Sequence, residues 1–374
     1  DNFRVWAGKP VIIAFLRYMA FIFSSCMRPS VFSGVSSSAV PVPVYFSYSF
    51  TSKVPGDMVP AFFSKAMILF NCDYSEGAHA DILRRMAETN MEQTAGYGED
   101  PYCDQARKLI AGLCGRTDLD IHFLIGGTQT NFTVIAAALR PHQCVLCADT
   151  GHINVHESGA VEACGHKVSA IPSPDGKLTA RQIEEAWHAQ WDDETREHMP
   201  QPRMVYISQP TELGTIYSRK ELQEISGVCR RRGLYLYMDG ARLGYGLCDE
   251  DNDLDLPAIA SLCDAFYIGG TKVGALFGEA LVLRHEALKE DFRYIAKQKG
   301  GRLAKGRLLG IQFLELFRDG LYFRLGAHAD RLAVMLRDFC RSRGLSLPFS
   351  SGTNQQFVTM PDSVLEELGR KYGF

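Results

Sequence analysis

Short apolar segments alternate with amphipathic helical patterns along most of this 374-residue chain, and this alternation restricts the fold more than any other feature. Apolar runs without polar alternation indicate strands that are buried on both faces. Such strands, when joined by helices, predict an α/β fold with a mostly parallel sheet between two helical layers. The predicted strands are 121–127, 144–149, 166–171, 203–208, 234–240, 265–270 and 280–284.

Two of the predicted helices carry explicit start signals. Thr179 with Gln182, and Ser218 with Glu221, each have the spacing of a capping box, in which a hydroxyl and a carboxyl or amide side chain satisfy the first backbone amides. A glycine at position 233 is well placed to end the second helix.

Charge and cysteine content narrow the class of protein. The formal net charge of -3 disfavours a large nucleic-acid surface. The 11 cysteines lack the dense, regular spacing of a disulfide scaffold, and several lie in apolar runs. We therefore expect reduced thiols in a reducing compartment, which favours a cytoplasmic location.

The first part of the chain differs in composition from the rest. Residues 1–57 are poor in acids, rich in serine, and include the apolar run PVIIAFLRYMAFIFSSCM. A signal or membrane anchor, an organelle transit segment and a non-native extension are the three interpretations that the composition allows. The predicted organisation is an atypical extension over 1–57, a major domain over 58–320 and the start of a small domain over 321–374.

Three polar clusters follow predicted strands, and the topology places all three at one edge of the sheet. GGTQTN follows the strand that begins at Ile121, DGAR follows LYLYM, and GGTK follows AFYI. Ligands of parallel α/β sheets bind beyond the carboxyl ends of the strands, so we expect the functional site at this edge.

Each cluster contributes one chemical function. Gly127 and Thr128, at the start of a helix, can bind a phosphate through backbone amides and a hydroxyl, although an ordinary glycine-rich turn has the same pattern. Asp239 ends an apolar strand, where a carboxylate needs either a cationic heterocycle nitrogen or an ion pair with Arg242. Lys272 lies in an apolar, glycine-lined segment, which favours a neutral, nucleophilic amine. Together these functions indicate pyridoxal 5'-phosphate (PLP).

The chain from Phe70 to Gly320 resembles the threonine aldolases, which are aspartate-aminotransferase-like, fold type I PLP enzymes. The segments that carry the resemblance are NCDYSEGAH, AGYGEDPYC, GGTQTN, GHINVHESGAVEA, DGKL, MDGARL, GGTKVGALFGEA and KQKGGRLAKG. The resemblance implies a PLP-binding major domain with a three-layer, mostly parallel sheet, and a small α+β domain that is incomplete at the C-terminus. It also implies cleavage of L-threonine, L-allo-threonine and other β-hydroxy amino acids to glycine and an aldehyde.

The resemblance further implies a role for individual residues. Lys272 forms the Schiff base with the cofactor, Asp239 meets the pyridine nitrogen, and Arg242 bonds the phenolic oxygen. The phosphate is held by Gly127, Thr128 and Gln129.

Two histidines are candidates for the base that removes the hydroxyl proton of the substrate. His152 also faces the cofactor ring, whereas His198 falls where the family has a second histidine near the substrate hydroxyl. The sequence does not choose between them. Tyr97 lines the site of a neighbouring subunit in a homodimer or homotetramer, and Arg302 and Lys305 approach the amino-acid substrate.

The chain departs from the family pattern at two points. Gln209-Pro210 stands where family members usually carry Asn-Thr, and no motif matches the arginine that binds the substrate carboxylate late in the small domain. A PLP-dependent β-elimination is an alternative reaction. A zinc-binding module, an alternative of a different class, is suggested by Cys144, Cys147, His152 and His156.

Overall fold

The computed structural model describes residues 42–45 and 67–374. The strands are β1 (Val42–Tyr45), β2 (Ile68–Leu69), β3 (Asp120–Leu124), β4 (Gln143–Ala148), β5 (Lys167–Ile171), β6 (Gln201–Ser208), β7 (Tyr235–Asp239), β8 (Ala265–Gly269), β9 (Glu279–Leu283), β10 (Gln355–Val358) and β11 (Tyr372–Gly373). Those predicted from the sequence correspond to β3 to β9, with bounds that differ by one to three residues.

A seven-stranded sheet with the order β3-β9-β8-β7-β6-β4-β5 forms the centre of the fold. The pairs β4-β5, β4-β6, β6-β7 and β7-β8 are parallel. Strand β9 is antiparallel to both of its neighbours, β3 and β8. The prediction of a mostly parallel sheet is confirmed, and β9 is its exception.

Helices cover both faces of this sheet. In chain order they are α1 (Ala80–Glu88), α2 (Pro101–Leu113), α3 (Gly127–Ala138), α4 (His152–Val155), α5 (Ala160–Ala163), α6 (Ala180–Trp191), α7 (Arg219–Arg232), α8 (Leu243–Cys248), α9 (Leu256–Leu262), α10 (Glu286–Lys289), α11 (Phe292–Gln298), α12 (Arg307–Arg318), α13 (Leu321–Ser342) and α14 (Asp362–Gly369). None of those within the described residues is long and apolar enough to cross a bilayer.

The predicted helix signals are present as local structure. Both capping boxes form, at the starts of α6 and α7, because each cap hydroxyl accepts from the third helical amide while that residue's side chain reaches back. Gly233 ends α7 in the left-handed conformation, with φ of 64°. Few L-residues adopt this conformation without strain, which is why glycine ends the helix here.

Strand β8 shows why the apolar runs do not alternate with polar residues. All five of its residues are buried. Phe266 and Ile268 belong to the larger hydrophobic cluster, whereas Ala265 and Tyr267 belong to a second cluster. Successive side chains of a strand point to opposite faces of the sheet. A strand between two helical layers therefore needs apolar residues at both odd and even positions.

The later part of the chain adds α13, α14 and two small pairings beside the main sheet. Strand β1 pairs antiparallel with β10, and β11 pairs parallel with β2. The predictions made for residues 1–57 lie outside the described residues, apart from β1 itself. The proposed domain boundaries stay predictions.

Candidate active site

A cavity of about 290 Å³ opens at the carboxyl ends of β6, β7 and β8. This is the edge at which the three polar clusters were expected. Its volume is close to the roughly 300 Å³ at which small-molecule pockets begin. The polar and ionisable residues that line it are Tyr74, Thr128, His152, Ser208, Glu212, Asp239, Arg242, Tyr267, Thr271, Lys272 and Glu279.

Asp239 is the last residue of β7 and is 4% exposed. Its carboxylate accepts hydrogen bonds from Tyr206 Oη (2.6 Å), Asn131 Nδ2 (2.9 Å), Tyr267 Oη (2.5 Å) and the Ala241 amide (2.9 Å). Burial alone would raise the pKa of Asp239, but the charge of His152 and the tyrosine donors outweigh it and lower the pKa. A buried, ionised carboxylate at this position can hold a cationic ring nitrogen.

Lys272 follows β8 in a glycine-rich turn, and its amine reaches the same cavity. Within the described residues the amine forms no hydrogen bond or ion pair, and its nearest ring contact is Tyr74, with Nζ 6.0 Å from the ring centroid. Burial and the positive charge of Arg242 lower the pKa of Lys272, although neighbouring carboxylates oppose the shift. The side chain therefore offers a primary amine that reverts readily to its nucleophilic form.

Arg242 does not pair with Asp239, which was one sequence interpretation. Its Nε and Nη2 donate to the two carboxylate oxygens of Asp73, at 2.7 and 3.2 Å. Asn354 Nδ2 donates to the same carboxylate at 2.9 Å. The guanidinium lies 5.3 Å from the ring centroid of Tyr45. Arg242 is thus fixed at the cavity wall by an acid that the sequence analysis did not assign.

His152 begins the short helix α4 and is part of a buried hydrogen-bond network. Its Nδ1 lies 2.7 Å from Glu157 Oε1, which also accepts from Asn131 Nδ2 at 2.7 Å. Burial would lower the pKa of His152, but the Glu157 hydrogen bond and the charge of Asp239 raise it. When Nδ1–H donates to Glu157, the neutral ring has its lone pair on Nε2. The side chain is 33% exposed.

The loop between β3 and α3, for which the sequence predicts phosphate binding, lines the cavity. A Cβ on Gly126 would meet nothing within 4 Å, whereas a Cβ on Gly127 would lie 3.1 Å from the Tyr267 hydroxyl. Thr128 lines the cavity. Gln129 does not face it, because its side chain accepts from the Ile125 amide and donates to the Lys299 carbonyl. The side chain of Gln129 thus supports the loop, and the predicted contribution of Gln129 to phosphate binding stays a prediction.

The sequence analysis missed several cavity residues. Glu212 Oε1 accepts from the Ser208 hydroxyl at 2.6 Å and from the His152 amide at 3.0 Å. Burial raises the pKa of Glu212. The other unassigned members of the network are Asp73, Asn131, Glu157, Tyr206, Tyr267 and Glu279. A usable signal was present for Glu279, which is a carboxyl within the otherwise apolar segment GALFGEALVL.

Four predicted residues lie away from this cavity within one protomer. His198 is exposed in a short 3-10 turn that precedes β6, at the opposite end of the strand from Ser208. In this chain it is not near Lys272, so of the two candidate bases only His152 is in the site. Tyr97 and Arg302 line a separate small cavity, and Lys305 lines a third.

The zinc interpretation is wrong. Cys144 and Cys147 are three residues apart on β4, so their side chains point to opposite faces of the sheet. His152 is bonded to Glu157 instead. The described residues contain no group of three or more His, Cys, Asp or Glu side chains placed to hold a metal ion.

The cavity residues fit PLP by their chemistry. A helix start with two glycines and a threonine can take a phosphate, a buried carboxylate can take a protonated ring nitrogen, and a primary amine can condense with an aldehyde. In this cavity these groups are Gly127 with Thr128, Asp239 and Lys272.

The chain matches the model of the beta-eliminating lyase family over residues 72–362. It is 33% identical over 313 residues to a low specificity L-threonine aldolase of a Pseudomonas species, covering 81% of this chain and 87% of that protein. The corresponding Pseudomonas aeruginosa protein is 32% identical over 303 residues, covering 80% and 86%.

Solved structures give the same result. A threonine aldolase structure from Leishmania major has 47% sequence identity and a TM-score of 0.80, and covers 82% of this chain and 88% of that chain. An aspartate aminotransferase from Thermus thermophilus has 13% identity and a TM-score of 0.61, and covers 82% and 90%. The second likeness is one of fold alone.

Proposed function

The chain belongs to the beta-eliminating lyase family and, within it, to the PLP-dependent threonine aldolases, and we propose that it cleaves L-threonine and L-allo-threonine to glycine and acetaldehyde. The observation that carries the proposal is the unpartnered Lys272 amine, which shares one cavity with an ionised Asp239 and with His152. The relatives named low specificity aldolases support activity on other β-hydroxy amino acids as well.

PLP, when bound, accepts the electron pair of the substrate bond that breaks. Asp239 holds the ring nitrogen through its carboxylate, and Gly127 and Thr128 hold the phosphate. Lys272 would supply the primary amine that condenses with the cofactor's aldehyde. Arg242, fixed by Asp73, lines the cavity.

His152 is the base in this proposal. Its Nε2 takes the proton of the substrate's β-hydroxyl while Nδ1–H stays bonded to Glu157. As the proton moves, the β-carbon becomes an aldehyde carbon and the Cα–Cβ bond breaks. The Glu157 carboxylate stabilises the imidazolium that forms, because it accepts the hydrogen bond from Nδ1–H and its negative charge offsets the positive charge of the ring.

The test combines spectroscopy with product analysis. Purified protein with added PLP should show a visible absorbance band that borohydride fixes to the chain, and Lys272→Ala should abolish it. Threonine should then yield acetaldehyde and glycine in equal amounts. Absence of the band in folded protein overturns the cofactor assignment, whereas a 2-keto acid and ammonia in place of glycine and aldehyde indicates β-elimination.

We also propose that the enzyme is a homodimer or homotetramer with shared sites. Apolar side chains are exposed at and near the cavity mouth, including Tyr74 (58%), Leu276 (45%) and Ile125 (38%), which supports burial against a second copy. Tyr97, 45% exposed, would then line the partner's site.

Complementation tests the shared site. Tyr97→Ala and Lys272→Ala should each be inactive alone, and co-expression should restore about a quarter of the unsubstituted activity, because half the dimers then hold one intact site. No recovery from two variants that sediment as mixed oligomers overturns the shared site. A monomer by sedimentation overturns the oligomer.

A further inference from the structure

The turn that carries Lys272 is closed by the carboxyl group of Glu279. Gly269 at the end of β8 pairs with Glu279 at the start of β9, so Lys272 lies in the connection between two antiparallel strands. Glu279 Oε1 accepts from the Thr271 hydroxyl at 2.8 Å, and Oε2 accepts from the Gly270 amide at 3.1 Å. The Thr271 hydroxyl oxygen in turn accepts from the Gly278 amide at 3.0 Å.

These contacts fix both residues that precede Lys272 in the chain. A buried carboxyl is a costly way to brace a turn, since an amide or hydroxyl side chain can accept similar hydrogen bonds without a charge. Glu279 is 3% exposed and lines the same cavity as Lys272. Hydrogen bonding to the turn therefore does not by itself explain why a carboxyl group occupies this position.

Electrostatics link the two side chains. Burial raises the pKa of Glu279 to about 8, and the charge of Lys272 opposes that rise. Burial and Arg242 lower the pKa of Lys272, and Glu279 opposes that fall. Each group thus favours the charged form of the other. The other ionisable groups coupled to this pair are Asp73, His152, His156, Tyr237, Asp239, Arg242, Tyr267 and Tyr322.

We propose that Glu279 is a positioning residue for Lys272, whose carboxyl both holds the lysine-bearing turn and serves as the local counter-charge of the ammonium. Asp73 and Asp239 also favour the charged form of Lys272, but within the described residues neither is hydrogen-bonded to the turn that carries it. Asp239 accepts from four other donors, and Asp73 accepts from Arg242 and Asn354. Glu279 sets how readily the amine is released as a free base when Lys272 must react. The inference deepens the proposed function, on which it rests for the role of Lys272.

Glu279→Gln tests the charge while it keeps the hydrogen bonds. The amide oxygen can accept from Gly270, and the amide nitrogen can donate to the Thr271 hydroxyl oxygen. Competitive acetylation of the cofactor-free protein over a pH series, read by mass spectrometry, gives the apparent pKa of Lys272. We expect it to fall by about one unit in Glu279→Gln, because the opposing charge is lost. Lys220, whose side chain is 85% exposed, is the internal standard.

Glu212→Gln is the matched control, since it makes the same substitution at another buried carboxyl of the same cavity. Its effect on the apparent pKa of Lys272 should be less than about a third of a unit. Equal shifts in both variants, or no shift in Glu279→Gln, overturn the proposal. The labelling needs neither cofactor nor substrate, so its outcome is independent of whether the protein cleaves threonine.

If Glu279→Gln does not fold, the same coupling can be measured from the carboxyl side. In Lys272→Met the ammonium is absent, so the Glu279 carboxyl should stay protonated to a pH about one unit higher than in the unsubstituted protein. Infrared difference spectra follow the protonated carboxyl band through this titration. An unchanged midpoint overturns the proposal.

Discussion

The carboxylate of Asp239 accepts four hydrogen bonds within the site. Its two oxygens accept from Tyr206, Tyr267, Asn131 and the Ala241 amide. In Asp239→Asn an amide nitrogen replaces one carboxylate oxygen. The hydrogen-bond donors that contact that oxygen would therefore lose their acceptor. We expect the free energy of unfolding to fall by about 1–3 kcal/mol and the affinity for PLP to fall about 10- to 100-fold. Urea unfolding of the cofactor-free protein and an absorbance titration with PLP measure the two effects. Unchanged PLP affinity would contradict the assigned role.

Glu157 controls the proton of His152, and the pH profile should reveal it. The Glu157 hydrogen bond raises the pKa of His152, so its removal in Glu157→Gln should lower that pKa by about one unit. The base is active when neutral, so the acidic limb of kcat/KM should move to lower pH by the same amount. Glu162→Gln, an exposed acid on α5, is the control and should leave the limb in place. A limb that does not move in Glu157→Gln excludes His152 as the titrating base.

At the scale of residues, the positions of the reactive groups could be predicted from the sequence, whereas most of the residues that hydrogen-bond to them could not. Lys272, Asp239 and Thr128 follow strand ends, and strand ends of a parallel sheet meet at one edge. Asp73 and Asn131 reach the site through packing between distant segments, which spacing along the chain does not encode. The side chain of Gln129 turns toward the Lys299 carbonyl, an orientation that its position in the sequence does not encode.

Among the elements, the contact between β7 and β8 depends on a glycine. A Cβ on Gly240 would lie 1.9 Å from the Tyr267 carbonyl oxygen, so the strand ends would have to separate. We expect Gly240→Ala to lower the free energy of unfolding by about 3 kcal/mol or more. Gly112→Ala is the control, because a Cβ there meets nothing within 4 Å. In helix α2 it should raise stability by about 0.5 kcal/mol. Thermal and urea unfolding measure the stability of both variants. Equal changes in Gly240→Ala and Gly112→Ala would contradict the role of Gly240.

The elements themselves were largely predictable. Apolar runs identified β3 to β9, and the two capping boxes identified the starts of α6 and α7. The direction of β9 was not predictable, because an apolar run of five residues has no orientation. The short connection from β8, from Gly270 to Gly278, is what makes an antiparallel return possible.

At the scale of the whole molecule, a buried carboxyl with a raised pKa should contribute stability that is lost as pH rises. Burial, together with the charge of Asp249, raises the pKa of Asp330 in α13 to about 9. The folded state therefore binds a proton that the unfolded chain releases above about pH 4, and the associated stability is lost as pH rises toward about 9. Asp330→Asn should make the slope of unfolding free energy against pH shallower by about 1 kcal/mol per unit between about pH 5 and about pH 8.

Asp338→Asn provides the comparison for this experiment. Asp338 lies on the same helix, but its side chain is 60% exposed. Its replacement should leave the slope unchanged. Urea unfolding at a series of pH values measures all three proteins, and parallel slopes for the unsubstituted protein and Asp330→Asn would contradict the assignment.

The antiparallel strand β9 also determines when the site can exist during translation. Among the described residues, strand β3, which leads into the loop that carries Gly127 and Thr128, joins the sheet only by pairing with β9. As the chain leaves the ribosome, β3 must therefore wait, unpaired, for more than a hundred residues to be synthesised. The Lys272 turn emerges just before β9 does. The loop between β3 and α3 and the Lys272 amine consequently acquire their fixed positions in one late step, and a nascent chain that stops before Glu279 cannot attach β3 to the strands that carry Asp239 and Lys272.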